Sequence, residues 1–127
     1  MKDTLNPNEW IVMNALWEKH PATLSEVISA IGDKVDWSYK TYQSYLLLLE
    51  KKGFLSAEKQ GRDKYYRPAV TRVSCVEQEK DSLLGKMEKD SLKLLIAGMV
   101  RGSDLDTASY REIQALLDEL LKGEQDT

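Results

Sequence analysis

The sequence predicts a mainly α fold with one small β-hairpin, and three observations predict it. Apolar residues recur at helical spacing in three separate stretches before Gly53. Strand-prone residues then flank a polar segment around Gly61. From Val73 onward the helical spacing returns and persists to Leu121. The 127 residues leave room for one modest domain, or a small domain plus an assembly module.

The first helix is announced by Asn6-Pro7-Asn8-Glu9. Asn6 can cap it, Pro7 suits the first helical position, and Glu9 can reach back in a capping box. Trp10, Met13 and Trp17 follow at helical spacing with Ile11, Val12 and Leu16 around them, a face wide enough for the centre of a small core. His20-Pro21 ends the helix. A second capping box, Thr23-Leu24-Ser25-Glu26, opens a helix whose stripe is Leu24, Val27, Ile28 and Ile31, stopped by Gly32. After the turn Asp33–Trp37, a third helix is expected from Ser38 to Gly53, with Tyr42, Tyr45, Leu46 and Leu49 facing the core. A short turn between the second and third helices is a helix-turn-helix layout.

Phe54–Glu58 and Lys64–Pro68 have strand propensity, and Lys59–Asp63 reads as the turn between them. A helix-turn-helix followed by a basic hairpin is the plan of a winged helix, expected here over residues 5–72. Beyond it, Val76, Leu83, Leu84 and Met87 suggest one helix. Leu92, Leu95, Ile96 and Met99 mark a second, broken at Arg101–Asp104. Ile113, Leu116, Leu117, Leu120 and Leu121 mark a last one, closed by Gly123 before a polar tail, Glu124–Thr127. Such stripes need a partner surface, so residues 73–123 are expected to form a helical dimerisation region built on Leu92, Leu95, Ile96, Met99, Ile113, Leu116, Leu117 and Leu120.

Charge is segregated along the chain. Residues 1–33 hold two Lys against five acids, net −3; residues 34–72 hold nine Lys/Arg against four, net +5; residues 73–127 hold seven against twelve, net −5. A basic middle in an acidic chain suggests a local polyanion-binding surface. On the third helix, Lys40, Gln43, Ser44, Leu47 and Lys51 fall opposite the apolar stripe. Lys40, Gln43 and Ser44 lie where a recognition helix meets base edges; Gln suits adenine, and Lys suits guanine or a phosphate. Ser38 and Thr41 place hydroxyls beside the helix N-terminus, and Lys59, Arg62 and Lys64 form a basic hairpin tip suited to phosphates. Double-stranded DNA is the partner this pattern predicts.

Catalysis has little support. His20 is the only histidine, and it sits beside Pro21; Cys75 has no histidine or second cysteine near it, so neither a metal site nor a Cys/His nucleophile is expected. No glycine-rich phosphate loop is present. No cofactor is expected. A single cysteine fits a reducing compartment, and neither a membrane span nor an apolar segment behind Met1–Thr4 is evident. A cytoplasmic protein without membrane contact is expected.

The stretches Trp10–Trp17, Trp37-Ser38-Tyr39-Lys40-Thr41, Glu50-Lys51-Lys52-Gly53-Phe54-Leu55, Tyr65-Tyr66-Arg67-Pro68-Ala69-Val70 and Gly102-Ser103-Asp104-Leu105 resemble the penicillinase-repressor family of BlaI/MecI/CopY type. The resemblance implies a bacterial, cytoplasmic, homodimeric transcriptional repressor that binds a palindromic operator through its winged helix and dimerises through its C-terminal helices. It implies that Lys40, Thr41 and Gln43 face DNA and that Gly61–Lys64 is the wing tip. Three features depart from the family pattern. Gly98-Met99 stands where members inactivated by proteolysis carry Asn-Phe, residues 76–127 lack the Cys-x-Cys of copper-responsive members, and positions 43, 47 and 48 hold Gln, Leu and Leu in place of basic residues. The inducing signal is therefore not implied. Two other functions fit the pattern: a protein-interaction module that docks on Leu47 and Leu48, and a small-molecule-sensing regulator.

Overall fold

A computed structural model gives the structure of residues 4–125. Residues 1–3 and 126–127 lie outside the described part, and with them most of the Met1–Thr4 segment and the end of the expected polar tail. The elements are α1 (Pro7–Glu18), α2 (Leu24–Ile31), a single 3₁₀ turn (Gly32–Lys34), α3 (Tyr39–Lys51), β1 (Leu55–Gln60), β2 (Asp63–Pro68), α4 (Arg72–Leu84), α5 (Lys89–Gly102) and α6 (Thr107–Gln125). The fold is mainly α with one antiparallel hairpin, a winged helix-turn-helix followed by further helices. No helix among the described residues is long and apolar enough to cross a membrane.

The chain forms two compact units, one through Ser82 and one from Leu83. In the first, both expected capping boxes are present. The Asn6 side chain accepts from the Glu9 N–H at 2.8 Å while Glu9 accepts from the Asn6 N–H at 2.9 Å. Thr23 and Glu26 exchange the same pair of bonds. With their ends fixed, the helices turn their stripes inward: Val12, Met13 and Leu16 meet Val27 and Ile31, then Tyr42, Leu46 and Leu49, all buried. Phe54, Leu55 and Tyr66 bring the hairpin onto this core, and Cys75 adds the first turns of α4. The Trp17 indole donates to the Val70 carbonyl at 3.0 Å, and Trp10 donates to Glu79. This unit thus reaches ten residues past the boundary expected after residue 72.

One connection had no sequence signal. The segment between α1 and α2 pairs with the hairpin, Ala22 and Tyr66 exchanging N–H···O bonds of 3.0 and 2.8 Å. It acts as a third, one-residue strand. Other boundaries differ from expectation for local reasons. Ser38 is the N-cap of α3 and not its first residue, and the helix stops at Lys51, ahead of Gly53 with φ +88°. The strands extend to Gln60 and Asp63, so the turn is only Gly61-Arg62, and Lys59 pairs directly with Lys64. Met87 lies between α4 and α5 and not on a helix. Gly123 does not close the last helix, which continues through it to Gln125.

In the second unit the Tyr110 hydroxyl donates to the Val100 carbonyl at 2.8 Å, and the Ser103 hydroxyl donates to the same carbonyl at 2.9 Å. These bonds hold the break between α5 and α6. The apolar stripes are poorly covered. Leu92 and Leu95 are half-buried, while Ile96, Met99, Ile113, Leu116, Leu117 and Leu120 are exposed. Leu121 of the same stripe and Leu94 outside it are exposed as well.

Candidate nucleic-acid interface

The N-terminus of α3 is set by its own sequence. Ser38 Oγ accepts from the Thr41 N–H at 3.2 Å, and the two hydroxyls lie 3.0 Å apart. Of the two hydroxyls expected to meet phosphates, that of Ser38 therefore already caps the helix and that of Thr41 is paired with it, both at the helix N-terminus. Behind them Trp37 forms a wedge, its ring centroid 5.1 Å from that of Tyr42 and 4.9 Å from that of Tyr45. Asn8 of α1 donates to the Tyr45 hydroxyl at 2.9 Å. Sequence reading assigned Tyr42 and Tyr45 to the core and gave Trp37 and Asn8 no role. The only available signal is four aromatics within nine residues, Trp37, Tyr39, Tyr42 and Tyr45.

With that wedge fixing the helix, Lys40, Gln43, Ser44, Leu47, Leu48 and Lys51 are all exposed. Lys40, Thr41, Ser44, Tyr45 and Leu48 border a shallow depression of about 330 Å³. It has a polar side and an apolar side. Among the described residues neither Lys40 nor Lys51 enters an ion pair, so both cations are available to a polyanion. Tyr39, which sequence reading passed over, is also exposed in the first turn.

The hairpin tip divides its cations. Arg62 occupies the two-residue turn, and it and Lys59 are exposed and outside any ion pair among the described residues. Lys64 is different. Its ammonium lies 2.9 Å from Glu50 Oε1 of α3 and 5.1 Å from the Tyr66 ring centroid. The hydrogen bond to Glu50 raises the Lys64 ammonium above the usual lysine value. The hairpin and α3 therefore sit side by side, joined by this pair. The sequence groups Lys64 with Arg62 by proximity, and the pairing with Glu50, fourteen residues earlier, leaves no local pattern.

A second ion pair steadies the same, C-terminal end of α3. Glu9, fully buried, accepts from Lys52 at 3.0 Å, tying the residue after α3 to the first turn of α1. His20 is exposed, its ring nitrogen 2.8 Å from the Leu16 carbonyl. No cluster of three or more His, Cys, Asp or Glu among the described residues is placed to hold a metal ion.

The sequence profile described as penicillinase repressor matches residues 5–119. The chain is 29% identical over 108 residues to the penicillinase repressor of Bacillus licheniformis, covering 85% of this chain and 84% of that one. It is 28% identical over 109 residues to the methicillin resistance regulatory protein MecI of Staphylococcus aureus (strain N315), covering 86% and 89%. Among solved structures, the DNA binding domain of the repressor BlaI aligns with a TM-score of 0.50 and 35% identity, over 57% of this chain and 90% of that chain.

Proposed function

The chain belongs to the penicillinase-repressor family, and from that premise we propose that it is a DNA-binding transcriptional repressor acting as a homodimer on a palindromic operator. One observation carries the reading: the exposed, carboxylate-poor face of α3 lies beside a hairpin whose end carries Lys59 and Arg62, neither in an ion pair among the described residues. A helix of this width enters the major groove, and a cationic hairpin next to it meets the adjacent backbone.

In this reading Lys40, Gln43 and Ser44 meet base edges, Gln43 pairing with adenine and Lys40 with guanine. Ser38, Thr41, Lys51, Lys59 and Arg62 hold phosphates and set the register. Lys64 belongs to the same interface, and its role is argued separately below. Residues 5–72 are the DNA-binding domain. Within residues 73–123, α5 and α6 form the dimerisation surface, whose exposed leucines, isoleucines and Met99 supply an apolar surface for a second copy, while the first turns of α4 pack on the DNA-binding unit. The protein acts in the bacterial cytoplasm and has no catalytic role.

A gel-shift titration with DNA from upstream of the protein's own gene, run at several salt concentrations, tests this reading. The expected result is a shifted band that outlasts competition by unrelated DNA and weakens steeply as salt rises. No shift at low salt, or equal affinity for every duplex, contradicts it.

A further inference from the structure

Glu50 is the only acidic residue of α3. It follows Gln43 by seven positions, two helical turns, so it falls on nearly the same strip of the helix about 10.5 Å further along. Its side chain keeps about a third of its surface in water, 34%. A carboxylate there faces the same polyanion as Gln43. Left unmatched, it repels the phosphates that the surrounding lysines attract.

Lys64 removes that charge. It shares a hairpin face with Tyr66, two residues on, which is buried in the core. The side chain of Lys64 is thus directed to the α3 side of the hairpin. There its ammonium meets Glu50 at 2.9 Å and lies over the Tyr66 ring. The ammonium is thus engaged by a carboxylate and an aromatic face, with 41% of the side chain left in water. Arg62 in the turn, by contrast, enters no ion pair among the described residues.

We propose that Lys64 serves DNA recognition through Glu50, as a positioning residue that masks the one carboxylate of the recognition helix, and is not itself a phosphate ligand. The proposal rests on the DNA-binding reading above. It divides the hairpin cations by role: Lys59 and Arg62 act on the backbone, and Lys64 acts on α3.

The test is a double-substitution cycle on the full-length protein, with Lys64→Gln, Glu50→Gln and the two combined, each titrated against the upstream duplex at three salt concentrations. Lys64→Gln is expected to weaken binding roughly tenfold for the two pairs of a dimer, with the log–log salt slope unchanged. Glu50→Gln is expected to bind as well as the wild type or more tightly. The combined variant is expected to return close to wild-type affinity with the wild-type salt slope; a lost phosphate contact would instead lower the slope in both variants that lack Lys64, and a misplaced hairpin would leave the combined variant as weak as Lys64→Gln. Thermal melts of all three report whether each is folded. Failure of the combined variant to recover overturns the proposal, as does Lys64→Gln binding like the wild type. A slope reduced by about 0.9 for each subunit in Lys64→Gln would make Lys64 a phosphate ligand after all. Wild-type protein that binds no duplex is a separate result; it overturns the DNA-binding reading and this inference with it.

Discussion

Glu9 and Leu47 mark the two limits of what single residues disclose in this chain. Glu9 reads as the third residue of a capping box, and it is one, but its second carboxylate oxygen also holds Lys52. Nothing in the local pattern joins positions 43 residues apart. Replacing Lys52 by Met leaves a buried carboxylate without its counter-charge. It should destabilise the first unit by roughly 3 kcal/mol, the lower end for a broken buried pair because Lys52 is itself partly exposed. Urea denaturation checks this, and a change below about 0.5 kcal/mol would place Glu9 in a far wetter site than its full burial indicates. Leu47 was legible from angle alone. Helical steps turn it away from Tyr42, Leu46 and Leu49, and it is 48% exposed. If α3 meets the DNA backbone, Leu47→Arg should strengthen non-specific binding and steepen the salt slope by about 0.9 per new phosphate contact, two contacts per dimer. If Leu47 instead docks a protein, DNA affinity and slope stay unchanged while that partnership is lost.

Among the elements, α1, α2 and α3 were legible because period, caps and stops agreed with one another. Asn6, Thr23 and Ser38 all cap helices, and the stripes they precede supply the core, with Trp10, Ile11, Trp17, Leu24, Ile28 and Tyr45 half-buried at its edge. The hairpin was legible in kind and not in register. A polar run, Lys59–Asp63, looks like a five-residue turn, yet the ladder extends through Gln60 and Asp63 because only Gly61 needs an unusual backbone. Its φ of +65° at the first of two turn positions, with no positive φ at Arg62, is the pattern of a two-residue hairpin turn that favours glycine there. Space is not the constraint, since a Cβ at Gly61 would meet nothing within 4 Å. Gly61→Ala should therefore cost about 1–2 kcal/mol through backbone strain alone. It should also weaken DNA binding by displacing Arg62. Thermal denaturation alongside DNA titration tests both, and a fully stable variant with wild-type affinity would show that the turn tolerates an ordinary side chain. The one-residue pairing of Ala22 with Tyr66 was invisible because so short a strand leaves no alternation to read.

For the whole molecule, the charge map and the apolar stripes were the legible features, and the join between the units was not. The net +5 of residues 34–72 covers α3 and the hairpin, while the flanking segments are acidic. The sequence places a boundary where the hairpin ends. However, α4 starts at Arg72, and its first turns are committed to the first unit through Cys75 and Glu79. One buried cysteine and one indole partner are too sparse a signal to predict that. The exposed stripes of α5 and α6 lead to the expectation that the full chain sediments as a dimer at micromolar concentration. A chain truncated after Ser82 should sediment as a monomer, and a truncated chain that still dimerises would move the interface out of α5 and α6. The central claim is that the outward face of α3 and the hairpin turn together meet duplex DNA. Amide chemical-shift mapping of the labelled protein, titrated with the duplex it shifts in gels, tests this most directly. The expected result is that the largest changes fall on Lys40–Leu47 and Lys59–Arg62, while α5 and α6 stay near their free positions. Changes confined to α1, α2 or residues 83–125, with α3 and the hairpin unmoved, would contradict it.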